Sequence, residues 1–468
     1  MGERELETLL RWVAGSAAAY RTQTREGLQR PELDFEAMRA RFDAPTPETG
    51  AAPQDVIGEL SGLAEQGLAA MSGPRFFGWV IGATEPAGLA ADWLTSAWAQ
   101  NTANQFATPS ASACEEIAGR WLLDLLRLPQ GSSVGFVTGA TIANFTCLAA
   151  ARGEVLRRAG WDVEGDGLFG APPIHVVLGE EAHSTVFSAL RYLGLGAKRV
   201  VSVAVDSQGC VRADAFAEAI ETLDGPIIAI AQAGHINSGG FDPFDAIAEA
   251  CARKGAWLHI DGAFGLWARI AMEFEPLTRG IERADSWGVD GHKWLQTPHD
   301  CGYAIVRWPE AHRRAMRIAA SYLPAGEAHP ADLAPELSRR ARGFTTWAMI
   351  RSLGRSGIEA MVSRHCALAR RMAERLAREP DIEILNKVDL NQVAVRLGAD
   401  LPPEVAGALT KRAIERIQQE GVCFVGGAKW RGHEIVRVSV IGAGTSETDI
   451  DVSSEAIISA WRAVRAEM

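Results

Sequence analysis

No apolar run in this sequence approaches the roughly 20 residues that a membrane span requires. The first residues, Met1-Gly2-Glu3-Arg4-Glu5-Leu6, are charged and lack the apolar core of a secretory signal. Cysteine is scarce and scattered: the seven, at positions 114, 147, 210, 251, 301, 366 and 423, include no CxxC pair. That excludes a disulfide framework and a closely spaced zinc site, and it suits free thiols in a reducing compartment. A surplus of positive charge is missing too. The net charge of -11 argues against nucleic acid as a partner, because phosphate binding needs clustered Lys and Arg. There is no Walker loop, no GxGxxG and no HExxH. Internal repeats and low-complexity tracts are absent. These absences lead us to expect a cytoplasmic protein with no membrane, nucleic-acid or metal partner.

What is present fits a globular protein. The 468 residues, 47% hydrophobic and 22% charged, suffice for two or three domains around a large core. Residues 1–75 read as an N-terminal helical segment. Leu6, Leu9, Leu10 and Val13 recur at helical spacing, as do Val56, Leu60 and Leu63, and prolines between Pro45 and Pro53 separate the two stretches. With little core of its own, the segment is expected to pack on a partner subunit. Residues 76–345 read as a large α/β domain. Ile174–Leu178, Val200–Val203, Ile227–Ile230 and Trp257–Ile260 are nearly continuous apolar strands, the pattern of a mostly parallel sheet with helices on both faces. Ala213–Leu223 and Phe244–Lys254 supply helices between them. Residues 346–468 read as a small α+β domain. It opens on a long helix interrupted at Gly354 or Gly357 and includes strands near 392–397 and 435–440.

Two segments carry chemistry. Lys293 lies in Asp290-Gly291-His292-Lys293-Trp294, ahead of the strand Tyr303–Val306. Most lysines are solvated surface charges, but one beside a buried strand must be paired, neutralised or used covalently. Asp261 ends the strand Trp257–Ile260 and precedes Gly262-Ala263-Phe264-Gly265. It could be an ordinary turn aspartate. Ligands of open α/β sheets, however, sit at the C-terminal ends of strands, and the small residues after it admit something flat. An aldehyde-binding amine and a buried carboxylate at neighbouring strand ends are what pyridoxal 5'-phosphate (PLP) needs: one binds its aldehyde, the other keeps its pyridine nitrogen protonated. His183, just past the strand Ile174–Leu178, could stack on such a ring or simply be structural. Thr138-Gly139-Ala140-Thr141-Ile142-Ala143-Asn144 precedes a helix expected over 145–159. Small residues there expose backbone N–H groups to a phosphate.

In this order, the small-residue helix start, His183, His259-Ile260-Asp261-Gly262-Ala263 and His292-Lys293-Trp294-Leu295 resemble the group II PLP-dependent amino acid decarboxylases, aromatic L-amino acid decarboxylase-like enzymes of fold type I. The resemblance runs from Gly73-Pro74-Arg75-Phe76-Phe77 through the tail. It implies that Lys293 is the Schiff-base lysine and that Asp261 pairs with the pyridine nitrogen. Ala263 would pack on one ring face, and His183 would stack on the other and orient the substrate carboxylate. Ala140, Thr141 and His292 would bind the phosphate. Tyr322 would be the mobile-loop residue that protonates Cα after CO2 leaves. Arg339 matches an arginine of the family pattern, with Asp242 as its ion-pair partner. Trp79, Phe77 and Phe106 would line an apolar or aromatic substrate pocket, and the active site would lie at a homodimer interface.

The sequence departs from the family at Gly234-His235-Ile236-Asn237-Ser238, where a cofactor-contacting threonine falls on Ile236. Asn237 or His235 is the candidate replacement. The expected reaction is loss of CO2 from an L-amino acid to give the amine. Aminotransfer, aldolase or lyase chemistry and oxidative deamination are the alternatives on the same scaffold. Because Tyr322 and His183 are both present, simple decarboxylation is favoured. They also argue against a non-catalytic binding protein, which would not need a proton donor. A metal hydrolase using His292, His299 and Asp300 is disfavoured because Pro298 prevents a one-face helical ligand pair.

Overall fold

The near-continuous apolar runs become the centre of a seven-stranded sheet. Its strands are β1 (Ser133–Val137), β2 (His175–Gly179), β3 (Val201–Val203), β4 (Ile227–Gln232), β5 (Trp257–Asp261), β6 (Ser286–Asp290) and β7 (Gly302–Val306). The spatial order is β1-β7-β6-β5-β4-β2-β3. Strands β3, β2, β4, β5 and β6 pair in parallel, and β7 runs antiparallel to both its neighbours. Every residue of β5, β6 and β7 is buried. Helices pack on the sheet from both faces, which is why alternation is absent from these strands.

The structure is a computed structural model that describes residues 2–318 and 329–468. The chain divides into two compact units. One comprises Val80–Arg370 and Leu385–Val393 and contains the seven-stranded sheet. The other comprises Met1–Trp79, Arg371–Ile384 and Ala394–Met468, so the N-terminal helices share a unit with most of the C-terminal residues. A second sheet has strands β8 (Ile382–Ile384), β9 (Gln392–Leu397), β10 (Gly426–Trp430) and β11 (His433–Ser439) in the order β10-β11-β9-β8. The N-terminal helices Glu3–Glu26 and Pro53–Ala64 leave Leu6, Leu10, Trp12, Val56 and Leu60 exposed. No helix among the described residues is long and apolar enough to cross a membrane.

Two boundaries differ from the sequence reading in ways that matter. The helix expected from Phe145 begins at Ala140 and runs to Arg158, with Gly139 as an extended N-cap. Ala140 through Asn144 are therefore its first turn, and Asn144 faces the sheet rather than solvent. The long helix Arg342–Leu376 is broken at Gly354, whose φ of 62° suits glycine. Gly357 is not the break.

Strand β7 brings the helix start to the strand ends. Val137 and Asp290 both pair with Gly302 across β7. A Cβ at Gly302 would lie 2.5 Å from the Gly139 Cα, so only glycine lets the chain cross there. The last residues of β1, β4, β5 and β6 and the start of β7 consequently share one edge of the sheet.

Candidate active site

That edge collects most of the singled-out residues. Asp261 is the last residue of β5 and is 3% exposed. Its Oδ1 accepts the Ala263 N–H at 3.3 Å. Burial raises its carboxyl pKa above the usual range, and the charges of His183 and Lys293 offset this only in part. Lys293 follows β6 in the Gly291–Gln296 turn. Its Nζ lies 2.9 Å from Asp290 Oδ2 and 5.8 Å from the centre of the Phe264 ring. The turn is held from outside. A Cβ at Gly82 would sit 2.3 Å from the Lys293 carbonyl oxygen, and Gln296 Nε2 donates to that oxygen at 3.0 Å.

A small cleft is lined by His183, Gln232, Ile236, Asp261, Ala263, Phe264 and Lys293. His183 caps the helix Ser184–Tyr192. Its backbone N–H donates to Gln232 Oε1 at 3.2 Å, and its Nδ1 lies 2.8 Å from Thr185 Oγ1. Ile236 lines the cleft, so an apolar side chain stands there. Asn237 is buried beside it, and its Oδ1 finds no hydrogen-bond donor among the described residues. His235 turns away, with Nδ1 at 3.1 Å from Ser238 Oγ and Nε2 at 3.3 Å from Glu181.

The helix start behaves as an anion cradle, and a protein carboxylate already uses part of it. Asp290 Oδ1 accepts the Ala140 N–H at 2.5 Å and lies 3.6 Å from His292 Nε2. Thr141 follows in the first turn. His292 is held by the Cys301 N–H, which donates to Nδ1 at 3.3 Å. Its ring lies 4.2 Å from that of His299. Burial lowers both histidines, His299 to about 4. Asp300 pairs with Arg342 at 3.0 Å. No three His, Cys, Asp or Glu side chains among the described residues are grouped to hold a metal ion.

One pairing from the sequence reading is corrected. Arg339 does not meet Asp242. Its guanidinium grips Glu115 with two bonds, at 2.6 and 2.7 Å, both side chains being buried. A planar fork matches a carboxylate edge-on, and the helix Pro109–Leu125 offers Glu115 in that position. Asp242 is instead spent on backbone donors, the Val211 and Gln232 N–H groups, each at 2.7 Å. Burial pushes its carboxyl up to about 6. Phe77 is packed in the core of its unit, 1% exposed. Trp79 is half exposed, its ring 5.8 Å from that of Phe424, and Phe106 is exposed. Tyr322 lies outside the described residues.

Sequence reading assigned no role to three residues that the edge brings in. Asp290 was visible as the end of an apolar strand three residues before Lys293. Asn144 and His259 are polar residues in otherwise apolar segments, which is the only signal they give.

These residues fit PLP. A buried carboxyl raised by burial lacks a full counter-charge, and an amine lines the same cleft. The family model described as the pyridoxal-dependent decarboxylase conserved domain matches residues 36–398. An aromatic-L-amino-acid decarboxylase of Bacillus atrophaeus is 24% identical over 433 residues, covering 89% of this chain and 87% of that one. Tryptophan decarboxylase 1 of Oryza sativa subsp. japonica is 27% identical over 429 residues, covering 84% and 82%. The crystal structure of Oryza sativa TDC with PLP and tryptamine superposes with a TM-score of 0.91 at 23% identity, over 99% of both chains. The chain belongs to the pyridoxal-dependent decarboxylase family: PLP is its cofactor, and decarboxylation of an amino acid is its reaction.

Proposed function

We propose that Lys293 binds the PLP aldehyde covalently, Asp261 holds the pyridine nitrogen protonated, and His183 and Ala263 take the two ring faces. Ala140, Thr141 and His292 would bind the phosphate, and Asn237 would offer the cofactor the polar group that Ile236 does not. The observation that carries this reading is the shared cleft of Asp261 and Lys293 at the ends of adjacent parallel strands. Asp290 Oδ2 orients the Lys293 Nζ towards that cleft. When bound, PLP supplies an electron sink for the pair of electrons left by departing CO2. The chain's own part is positioning. His183 orients the substrate carboxylate, Asp261 keeps a negative charge facing the ring nitrogen, and Tyr322 delivers a proton to Cα.

The substrate we propose is an L-amino acid with an apolar or aromatic side chain. The assembly is a homodimer with the active site at its interface, and residues 1–75 pack on the partner subunit. The exposed apolar residues of the N-terminal helices support that role. The seven free cysteines support a cytoplasmic location.

The test is a PLP absorbance titration followed by product analysis on a panel of amino acids. A visible band lost in Lys293→Ala, with amine and CO2 formed in equal amounts, is the expected result. Aldehyde and ammonia with stoichiometric O2 consumption would replace simple decarboxylation by oxidative deamination. A keto acid would mean aminotransfer.

A further inference from the structure

Behind Asp261 lies a buried chain of polar side chains that none of the roles above uses. The Trp257 Nε1–H donates to Ser286 Oγ at 2.9 Å. Ser286 Oγ lies 2.9 Å from His259 Nδ1, and His259 Nε2 lies 3.0 Å from Asn144 Oδ1. Trp257, His259, Ser286 and Asn144 are all fully buried. The Asn144 Nδ2 has no hydrogen-bond partner of ordinary length among the described residues, yet the amide faces Asp261 and favours its ionised form.

The direction of this chain follows from what each group can do. An indole N–H only donates, so Ser286 Oγ accepts there. The hydroxyl has one hydrogen left, and His259 Nδ1 lies at hydrogen-bond distance to accept it. The other neighbour of that hydroxyl, the Cys147 thiol, directs its own hydrogen at the Trp287 and Ile305 carbonyls. Burial keeps His259 neutral, its pKa pushed down to about 3, so one proton serves two nitrogens. The Ser286 carbonyl also faces the ring and favours a proton on Nδ1. An amide oxygen 3.0 Å from Nε2 can only accept, however, so with Nδ1 accepting from Ser286 Oγ the proton sits on Nε2 and is donated to Asn144 Oδ1. That turns the two Nδ2 hydrogens towards Asp261. The opposite polarity would set a carbonyl oxygen against the carboxylate, an arrangement that suits only a protonated Asp261. Strand β6 leaves space for the Asn144 amide only because residue 288 is glycine, where a Cβ would lie 2.3 Å from Oδ1.

We propose that His259 is a positioning residue: protonated on Nε2, it fixes the Asn144 amide as a donor to Asp261 and so keeps that carboxylate ionised for the cofactor nitrogen. This rests on the proposed role of Asp261. The residue acts two side chains away from the ring and makes no contact with substrate.

Two measurements on the full-length protein test it. Nitrogen-15 NMR of labelled histidines, assigned with His259→Gln, should show His259 neutral and protonated on Nε2 between pH 6 and 8, with and without PLP. In parallel, the equilibrium affinity for PLP is measured for wild type, His259→Gln and His259→Leu, with melting curves of the PLP-free proteins as a folding check. His259→Leu should bind PLP about 10- to 100-fold more weakly, the scale of one hydrogen bond to a charged group. His259→Gln, whose amide reaches the Nε2 position, should recover most of that loss. If His259→Leu does not fold, the NMR result and the His259→Gln affinity decide. A proton on Nδ1, or PLP affinity in a folded His259→Leu equal to wild type, would overturn the relay and leave the cofactor assignment standing. Wild-type protein that takes up no PLP would overturn the cofactor assignment itself, and the relay with it.

Discussion

The ends of β5 and β6 each present a buried aspartate, and the two are treated in opposite ways. Asp290 is well served: a helix N–H at 2.5 Å and the Lys293 ammonium at 2.9 Å. Asp261 has less: one backbone N–H at 3.3 Å and the Asn144 amide facing it, with the Lys293 ammonium given to its neighbour. A carboxylate without a full counter-charge in a dry site costs stability. Asp261 is therefore a place where a cation is expected to arrive, whereas Asp290 is the group that aims the lysine. The pyridinium nitrogen of PLP is the cation we propose for Asp261, and its binding would offset that cost.

The sharpest break in this contrast is Lys293→Ala, which removes the group that Asp290 aims. Turnover should fall by at least about a thousandfold, since a covalent anchor acts as a unit with its partners. Single-turnover amine formation measures it. Next come the two aspartates as a pair. Asp261→Asn should lower turnover by about 100-fold or more, because a neutral amide cannot hold a protonated ring nitrogen. Without PLP the two variants should move in opposite directions. A carboxyl whose folded pKa is raised favours the fold below its unfolded pKa, and that advantage is lost as pH rises through the folded value. At pH 8 Asp261→Asn should therefore melt above wild type. Asp290→Asn breaks a buried ion pair and should melt below it. Equal shifts in both would erase the distinction.

A smaller effect separates this edge from the rest of the core. His259 and His312 are buried and pushed down to about 3. Unfolded histidines take up a proton near pH 6.5, whereas these folded ones stay neutral. Stability should thus be full above about pH 6.5 and fall as pH drops towards 3, by up to about 1.4 kcal/mol per unit for each histidine. Urea titrations across that range measure the slope. His312→Gln, away from the cofactor edge, should lower it by up to about 1.4 kcal/mol per pH unit without changing PLP affinity.

How much of this was legible in the residues depended on distance along the chain. Asp261 and Lys293 announced themselves because one closes an apolar strand and the other lies between two apolar strands, where an unpaired charge is not tolerated. The helix start was legible as a run of small residues with free backbone N–H groups. Its first occupant, Asp290, was not, because a backbone N–H 150 residues away leaves no local pattern. The Arg339 pairing failed for the same reason: Glu115 lies 224 residues away, and the acid nearer the site was already bonded to β4. His259 and Asn144 meet only because β5 lies beneath the helix that starts at Ala140. Polar residues in apolar segments mark that something must satisfy them, but only the fold says what.

The contrast between the two strand ends rests on the charge of Asp261 before and after PLP arrives. Carbon-13 NMR of labelled aspartate carboxyls, assigned by Asp261→Asn, follows it directly against pH. Asp261 should titrate above the usual carboxylate range in the PLP-free protein and become ionised throughout the accessible range once PLP is bound. An ordinary carboxylate titration without PLP, or a curve that PLP leaves unchanged, would contradict the assignment.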